Sequence, residues 1–241
     1  MPGLADEVNK LIGDVGRLIN NEFDSNSLFE YALRFITDPL VYSIPPIVLG
    51  CMPYHLFYTA RLIIESLTVG LYEDFWNRNW AFCEKLKDAT AFRMGNLAKC
   101  SGPRCDRYVK LGQEINEVLG WLSDELGEEP ANFIYNFYDV LSKLMHPITR
   151  MKNDCSIGGA FGIALTAFAY ETPPMRALLQ PAECKGDDKV LRAFYITITH
   201  TRLAINMLIY AWGSLVGKLS KEELENVRRR IKDALKSAKA I

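Results

Sequence analysis

Residues 54–76 read YHLFYTARLIIESLTVGLYEDFW. The run is too long for a strand and carries no interior proline, so it is expected to be one long helix from about Tyr54 to Trp76. Its polar residues His55, Tyr58, Arg61, Glu65, Thr68 and Tyr72 follow one another at three or four residues and line a single stripe. The flanking Leu56, Phe57, Leu62, Ile63, Ile64 and Leu67 are too apolar for an exposed helix. A charged pair such as Arg61 and Glu65 in that setting needs mutual contact, because an unpaired buried charge is very costly.

The same periodicity extends along the chain and predicts an all-α fold, a single multi-helix bundle of about nine helices. Leu4, Val8, Leu11, Ile12, Val15, Leu18 and Ile19 give the first helix one apolar face. The Asp24–Ser27 cluster is an N-cap signal for a second helix near Leu28–Ile36. Prolines 39, 45, 46 and 53 predict a proline-rich connection over 39–53. Further helices are expected at Trp80–Ala98, Asp106–Leu126 (closed by Gly127), Asn132–Met145, Ile157–Tyr170, Asp188–Val216 and Lys221–Ala238. Ser220 and Glu223 form a capping box before the last of these. The β-prone FYITIT at 194–199 lies inside a longer helical pattern. Connections are short, so residues 1–241 are expected to form one helical domain, with the weakest seam at 173–186.

The formal net charge is −1, so no global basic field marks a nucleic-acid binder. Charge is nevertheless uneven. Glu114 to Glu129 carries only acidic charges, while Lys218–Lys239 is net basic, with Arg228, Arg229 and Arg230 in a row. Glu222, Glu223, Glu225 and Asp233 interleave with that basic run, which predicts intrahelical pairing. The N-terminus lacks a basic start followed by an apolar stretch, and the longest uncharged run, Pro39–Ala60, is interrupted by prolines. A cytoplasmic location without a membrane is therefore expected. Most of the six cysteines are then expected as thiols. Cys100 and Cys105 flank a Ser-Gly-Pro-Arg turn and form the disulfide candidate, with unlinked thiols or a metal site as alternatives.

The helix after Pro130 carries a second stripe: Tyr135, Tyr138 or Asp139, Ser142 and His146. If it faces the first, Arg61, Glu65, Ser142 and His146 form one polar cluster in the core. Tyr58, Tyr138 and Asp139 border it, and His200 and Arg202 on the penultimate helix are a third contributor, with Thr197 and Thr201. Such a cluster is either a structural network that fixes helix register or a binding site. His146 has the side chain best suited to proton transfer near neutrality. No Glu-x-x-His pair, His-Glu-x-x-His, phosphate-binding loop, dinucleotide fingerprint or Gly-x-Ser-x-Gly is present, and no cofactor or metal is implied.

Arg61-Leu-Ile-Ile-Glu65, followed by Leu141-Ser142-Lys-Leu-Met-His146-Pro147, resembles divergent members of the HEPN superfamily. The resemblance implies a small helical bundle that dimerises. Many members are ribonucleases of toxin–antitoxin, antiviral and CRISPR-linked systems, and others only bind partners. The nuclease members carry an Arg, four to six intervening residues and then a His; here no histidine is preceded by Arg at that interval. The resemblance therefore implies a non-catalytic binding or assembly protein, homo-oligomeric, with a protein or RNA partner. An RNA-acting enzyme using His146 and Arg61 is the alternative. A carrier of an apolar ligand in the bundle interior is a further one.

Overall fold

In a computed structural model the described residues are 3–19, 23–94, 120–145 and 188–239. They are helical with no strand among them. α1 spans Leu4–Ile19, and Val8, Leu11 and Val15 are its buried apolar side chains. The chain then enters a continuous helical run, Leu28–Leu49. It consists of α2 (Leu28–Tyr31), a π-helical turn (Ala32–Thr37), α3 (Asp38–Tyr42) and α4 (Ile44–Leu49). Next come α5 (Pro53–Trp76), α6 (Phe82–Met94), a helical stretch at 120–126, α7 (Glu128–Met145), α8 (Asp188–Leu215) and α9 (Lys221–Lys239).

The connection expected at 39–53 is mostly helix. Pro39 and the Pro45–Pro46 pair sit in the first turns of α3 and α4, where a missing N–H removes little, and Pro53 opens α5. Splitting the run into short segments places each proline at a start rather than in an interior. The run is also the one described helix long and apolar enough to cross a membrane, by length and composition. The local signals behave as expected. Ser27 is the N-cap of α2 and accepts from Glu30 N at 3.0 Å. Glu223 accepts from Ser220 N at 2.8 Å and donates its own N–H to Ser220 Oγ. Gly127, at φ +94°, closes the 120–126 stretch.

α8 is the axis of the bundle. Every residue from 201 to 213 is buried, as befits a helix covered on all sides. α1, α5, α7 and α9 pack against it, and α5 also packs against the Leu28–Leu49 run. At that second contact Gly70 is required: a Cβ there would lie 2.7 Å from Phe29 Cα. Phe29 in turn stacks on Trp212 with ring centroids 5.1 Å apart. One buried carboxylate locks the junction. Asp74, near the end of α5, accepts from Ser27 Oγ (2.5 Å), Leu28 N (2.9 Å), Phe29 N (3.2 Å), Trp212 Nε1 (3.1 Å) and Lys85 Nζ (2.9 Å). It satisfies N–H groups at the start of α2 while joining α5, α6 and α8.

Candidate functional site

The α5 stripe runs from solvent into the core. His55 and Tyr58 are exposed, Arg61, Glu65 and Tyr72 are half-buried, and Thr68 is buried. Arg61 and Glu65 stand one helical turn apart, so their side chains meet on one face. Arg61 Nε donates to Glu65 Oε1 at 2.7 Å. The same oxygen accepts from Tyr138 Oη of α7 at 3.0 Å, and the Arg61 guanidinium lies 5.9 Å from the centroid of the Tyr138 ring. Three of the expected site residues therefore meet, and they tie α5 to α7. Arg61 Nη1 is buried without a hydrogen-bond partner among the described residues. The side chains of Asp139 and Ser142, and His146 as a whole, lie outside the described residues, as do Cys100 and Cys105. Cys83 is a free, exposed thiol, and Cys51 is disulfide-bonded.

His200 of α8 packs against the same helix α7. Its ring stacks on Phe133 at 4.7 Å and tilts against Phe137 at 5.0 Å, and Nδ1 donates to the Ile196 carbonyl at 2.7 Å. Burial lowers the imidazole pKa below its ordinary value, against the opposing pull of the Ile196 carbonyl. Beside this ring is a cavity of about 380 Å³, walled chiefly by Phe57, Phe133, Phe137, Leu141, Ile196 and His200. Its volume falls within the range of small-molecule sites.

Arg202 does not join this group. Two residues beyond His200, it points about 200° around the helix, toward α1 and α9. There Nε donates to Asp14 Oδ2 (2.8 Å), Nη1 to Glu7 Oε2 (3.2 Å) and Nη2 to Asp233 Oδ2 (2.7 Å). Asn206 Nδ2 donates to Asp14 Oδ2 at 2.9 Å, and Ser237 Oγ to Glu7 Oε1 at 2.9 Å. Burial alone would lower the pKa of the guanidinium. The hydrogen bond and charge of Asp14, then Asp233 and Glu7, outweigh it and raise it instead. Lys10 is raised likewise by its hydrogen bonds to Asp6 and Glu7.

The sequence reading missed Glu7, Asp14 and Asp233. A usable signal existed for the first two. Glu7 and Asp14 are seven residues apart, two turns on one face, beside the apolar stripe of Val8, Leu11 and Val15. Of the three consecutive arginines of α9, two reach other helices, and the one that bonds within the helix does so to an amide and not to a carboxylate. Arg228 lies over the Tyr210 ring at 5.2 Å, Arg229 donates to Asn226 Oδ1, and Arg230 Nη1 donates to the Asp14 carbonyl at 2.9 Å. Asp233 reaches across to Arg202.

Chemically, the Arg61–Glu65–Tyr138 group joins two helices, and the Arg202 group joins three. Among the described residues no set of three His, Cys, Asp or Glu side chains is placed to hold a metal ion. No family model, curated protein or solved structure matches this chain.

Proposed function

We propose that this chain is a non-catalytic, HEPN-like helical binding or assembly protein that acts in the cytoplasm as a homodimer, with a protein or RNA partner. The observation that supports the reading is the engagement of Arg61. Its Nε is held by Glu65, and that same carboxylate oxygen is shared with Tyr138. A guanidinium so held stabilises helix packing in preference to the developing charge of a reacting phosphate. The test incubates the protein with RNA and compares Arg61→Met and His146→Ala with wild type. Intact RNA throughout, with a lowered melting temperature for Arg61→Met, is the expected result. RNA cleavage by wild type that vanishes in either variant, with the melting temperature unchanged, establishes the enzyme instead. Sedimentation that gives a monomer at every concentration removes the homodimer.

The cavity beside His200 favours a second reading, a carrier of an apolar ligand. Its wall is mainly aromatic and aliphatic, and the His200 ring is the one titratable group among its described lining residues. Solvent extraction of purified protein followed by mass spectrometry is expected to release an apolar small molecule, and Ala193→Phe, which fills the cavity, is expected to abolish its retention. An empty extract overturns this reading.

A further inference from the structure

The basic row on α9 carries an inference independent of the readings above. Arg229 and Arg230 project beside Arg17 of α1, and the three arginines line two adjacent depressions at once. One, of about 430 Å³, is completed by Leu18, Glu223, Asn226 and Val227. The other, of about 470 Å³, extends toward Lys10 and Arg202. Of the five cationic side chains on their described walls, Lys10 is paired with Asp6 and Glu7, and Arg202 with Glu7, Asp14 and Asp233, which leaves Arg17, Arg229 and Arg230 against Glu223. This excess stands on a chain whose overall formal charge is −1.

The three arginines differ in how they are held. Arg230 is fixed by the Asp14 carbonyl and Arg229 by Asn226. Arg17 forms no hydrogen bond or ion pair among the described residues, and it is exposed. Burial lowers the Arg230 pKa, and of its charged neighbours Asp14 opposes the shift while Arg17 and Arg202 add to it. Like charges brought to one place from two helices are a cost that an anion between them relieves. Arginine suits that anion, since its planar fork donates two parallel hydrogen bonds to phosphate oxygens.

We propose that the groove between α1 and α9, centred on Arg17, Arg229 and Arg230, binds a compact anion with two linked phosphate groups. The paired depressions sharing one set of arginines give each phosphate its own lobe. A single-stranded nucleic acid is disfavoured because no aromatic side chain is among the described lining residues to stack a base, and Glu223, Asp14 and Asp233 interrupt any longer phosphate track.

Calorimetric titration of the full chain with inorganic pyrophosphate tests this, beside parallel titrations with ADP, sulfate and a short single-stranded RNA. Saturable one-to-one pyrophosphate binding is expected, weakened at least about tenfold in Arg17→Ala/Arg229→Ala. Both side chains are exposed, so the double variant is expected to keep the wild-type circular dichroism and melting temperature. ADP binding with the same loss in the variant supports the site and assigns it to a nucleoside diphosphate; ADP rejection with pyrophosphate retained supports the free anion. The proposal is overturned by an absence of pyrophosphate binding to wild type, by equal affinity in the double variant, by sulfate binding as tightly as pyrophosphate, or by RNA binding more tightly and being lost in the same variant.

Discussion

Arg61 and Arg202 are arginines on two largely apolar helices, yet their surroundings differ. Arg202 is enclosed, with its side chain 3% exposed, and each of its three nitrogens reaches a different carboxylate. Those carboxylates come from α1 and α9, at opposite ends of the sequence. Arg61 is 15% exposed, shares one carboxylate one turn along its own helix, and leaves Nη1 without a hydrogen-bond partner among the described residues. The first arrangement fixes how distant segments meet. The second fixes a side-chain position and adds one hydrogen bond to a neighbouring helix. A buried cation is tolerable in proportion to the acceptors gathered around it, and the gathering of acceptors from several elements marks a structural keystone.

The largest effect is expected at Arg202. Arg202→Met fits the space but leaves buried Glu7 with Lys10 alone and buried Asp14 with only Arg230 at 3.9 Å, and a loss of about 3–5 kcal/mol is expected from chemical denaturation. Replacing Glu7 and Asp14 by Leu in the same chain removes the stranded charges and is expected to restore much of that loss. If Arg202→Met alone is nearly neutral, the enclosed cluster contributes little and the comparison fails.

An intermediate effect is expected at the other arginine. Arg61→Met removes a partly screened ion pair and a contact with the Tyr138 ring, for an expected loss of about 1–2 kcal/mol. Tyr138→Phe deletes only the hydroxyl that donates to Glu65, for about 1 kcal/mol. A double-mutant cycle between the two substitutions sharpens the contrast. A coupling energy below about 0.5 kcal/mol means that the pair acts as two independent contacts and not as one group.

The contrast also explains what was legible in the sequence. Helix positions follow from local pattern, so α1, α5, α8 and α9, the N-cap at Ser27 and the capping box at Ser220 were all readable. The Arg61–Glu65 contact was readable too, because one helix contains both residues. Its meeting with Tyr138 required only that two stripes face each other. The Arg202 group was readable only as far as the Glu7–Asp14 spacing on α1, since three separate helices supply it and no spacing in the chain links Glu7 to Asp233. The prolines misled for a related reason. Pro39, Pro45 and Pro46 break a helix interior, but the run resumes at each of them with the proline in a first turn. The donors to Asp74 depend on the start of α2, α6 and α8 converging on the end of α5, which no local signal encodes.

The smallest effect is expected at His200, which lies on α8 between the two arginine groups in character: enclosed by rings, with Nδ1 held by the Ile196 carbonyl and 3.4 Å from Thr199 Oγ1. Burial depresses its folded-state pKa below the unfolded value of about 6.5. Above that value the imidazole is neutral in both states and contributes no pH dependence. As pH falls through it, the unfolded chain takes up a proton that the folded chain resists, so stability is lost progressively down to the depressed folded pKa. Glu30 works in the opposite sense. Burial raises its carboxyl pKa, so protonation in acid favours the folded state over the range just above the ordinary carboxylate value. The two contributions overlap, and wild type alone does not separate them. His200→Phe keeps an aromatic ring against Phe133 and Phe137 and removes the titration together with the hydrogen bond to the Ile196 carbonyl, so the readout is the change with pH and not the absolute melting temperature. Melting temperatures taken between about pH 7 and about pH 5.5 are expected to fall less for the variant than for wild type. Equal falls mean that the imidazole is as free to ionise folded as unfolded, and that the enclosure seen around it does not persist in solution.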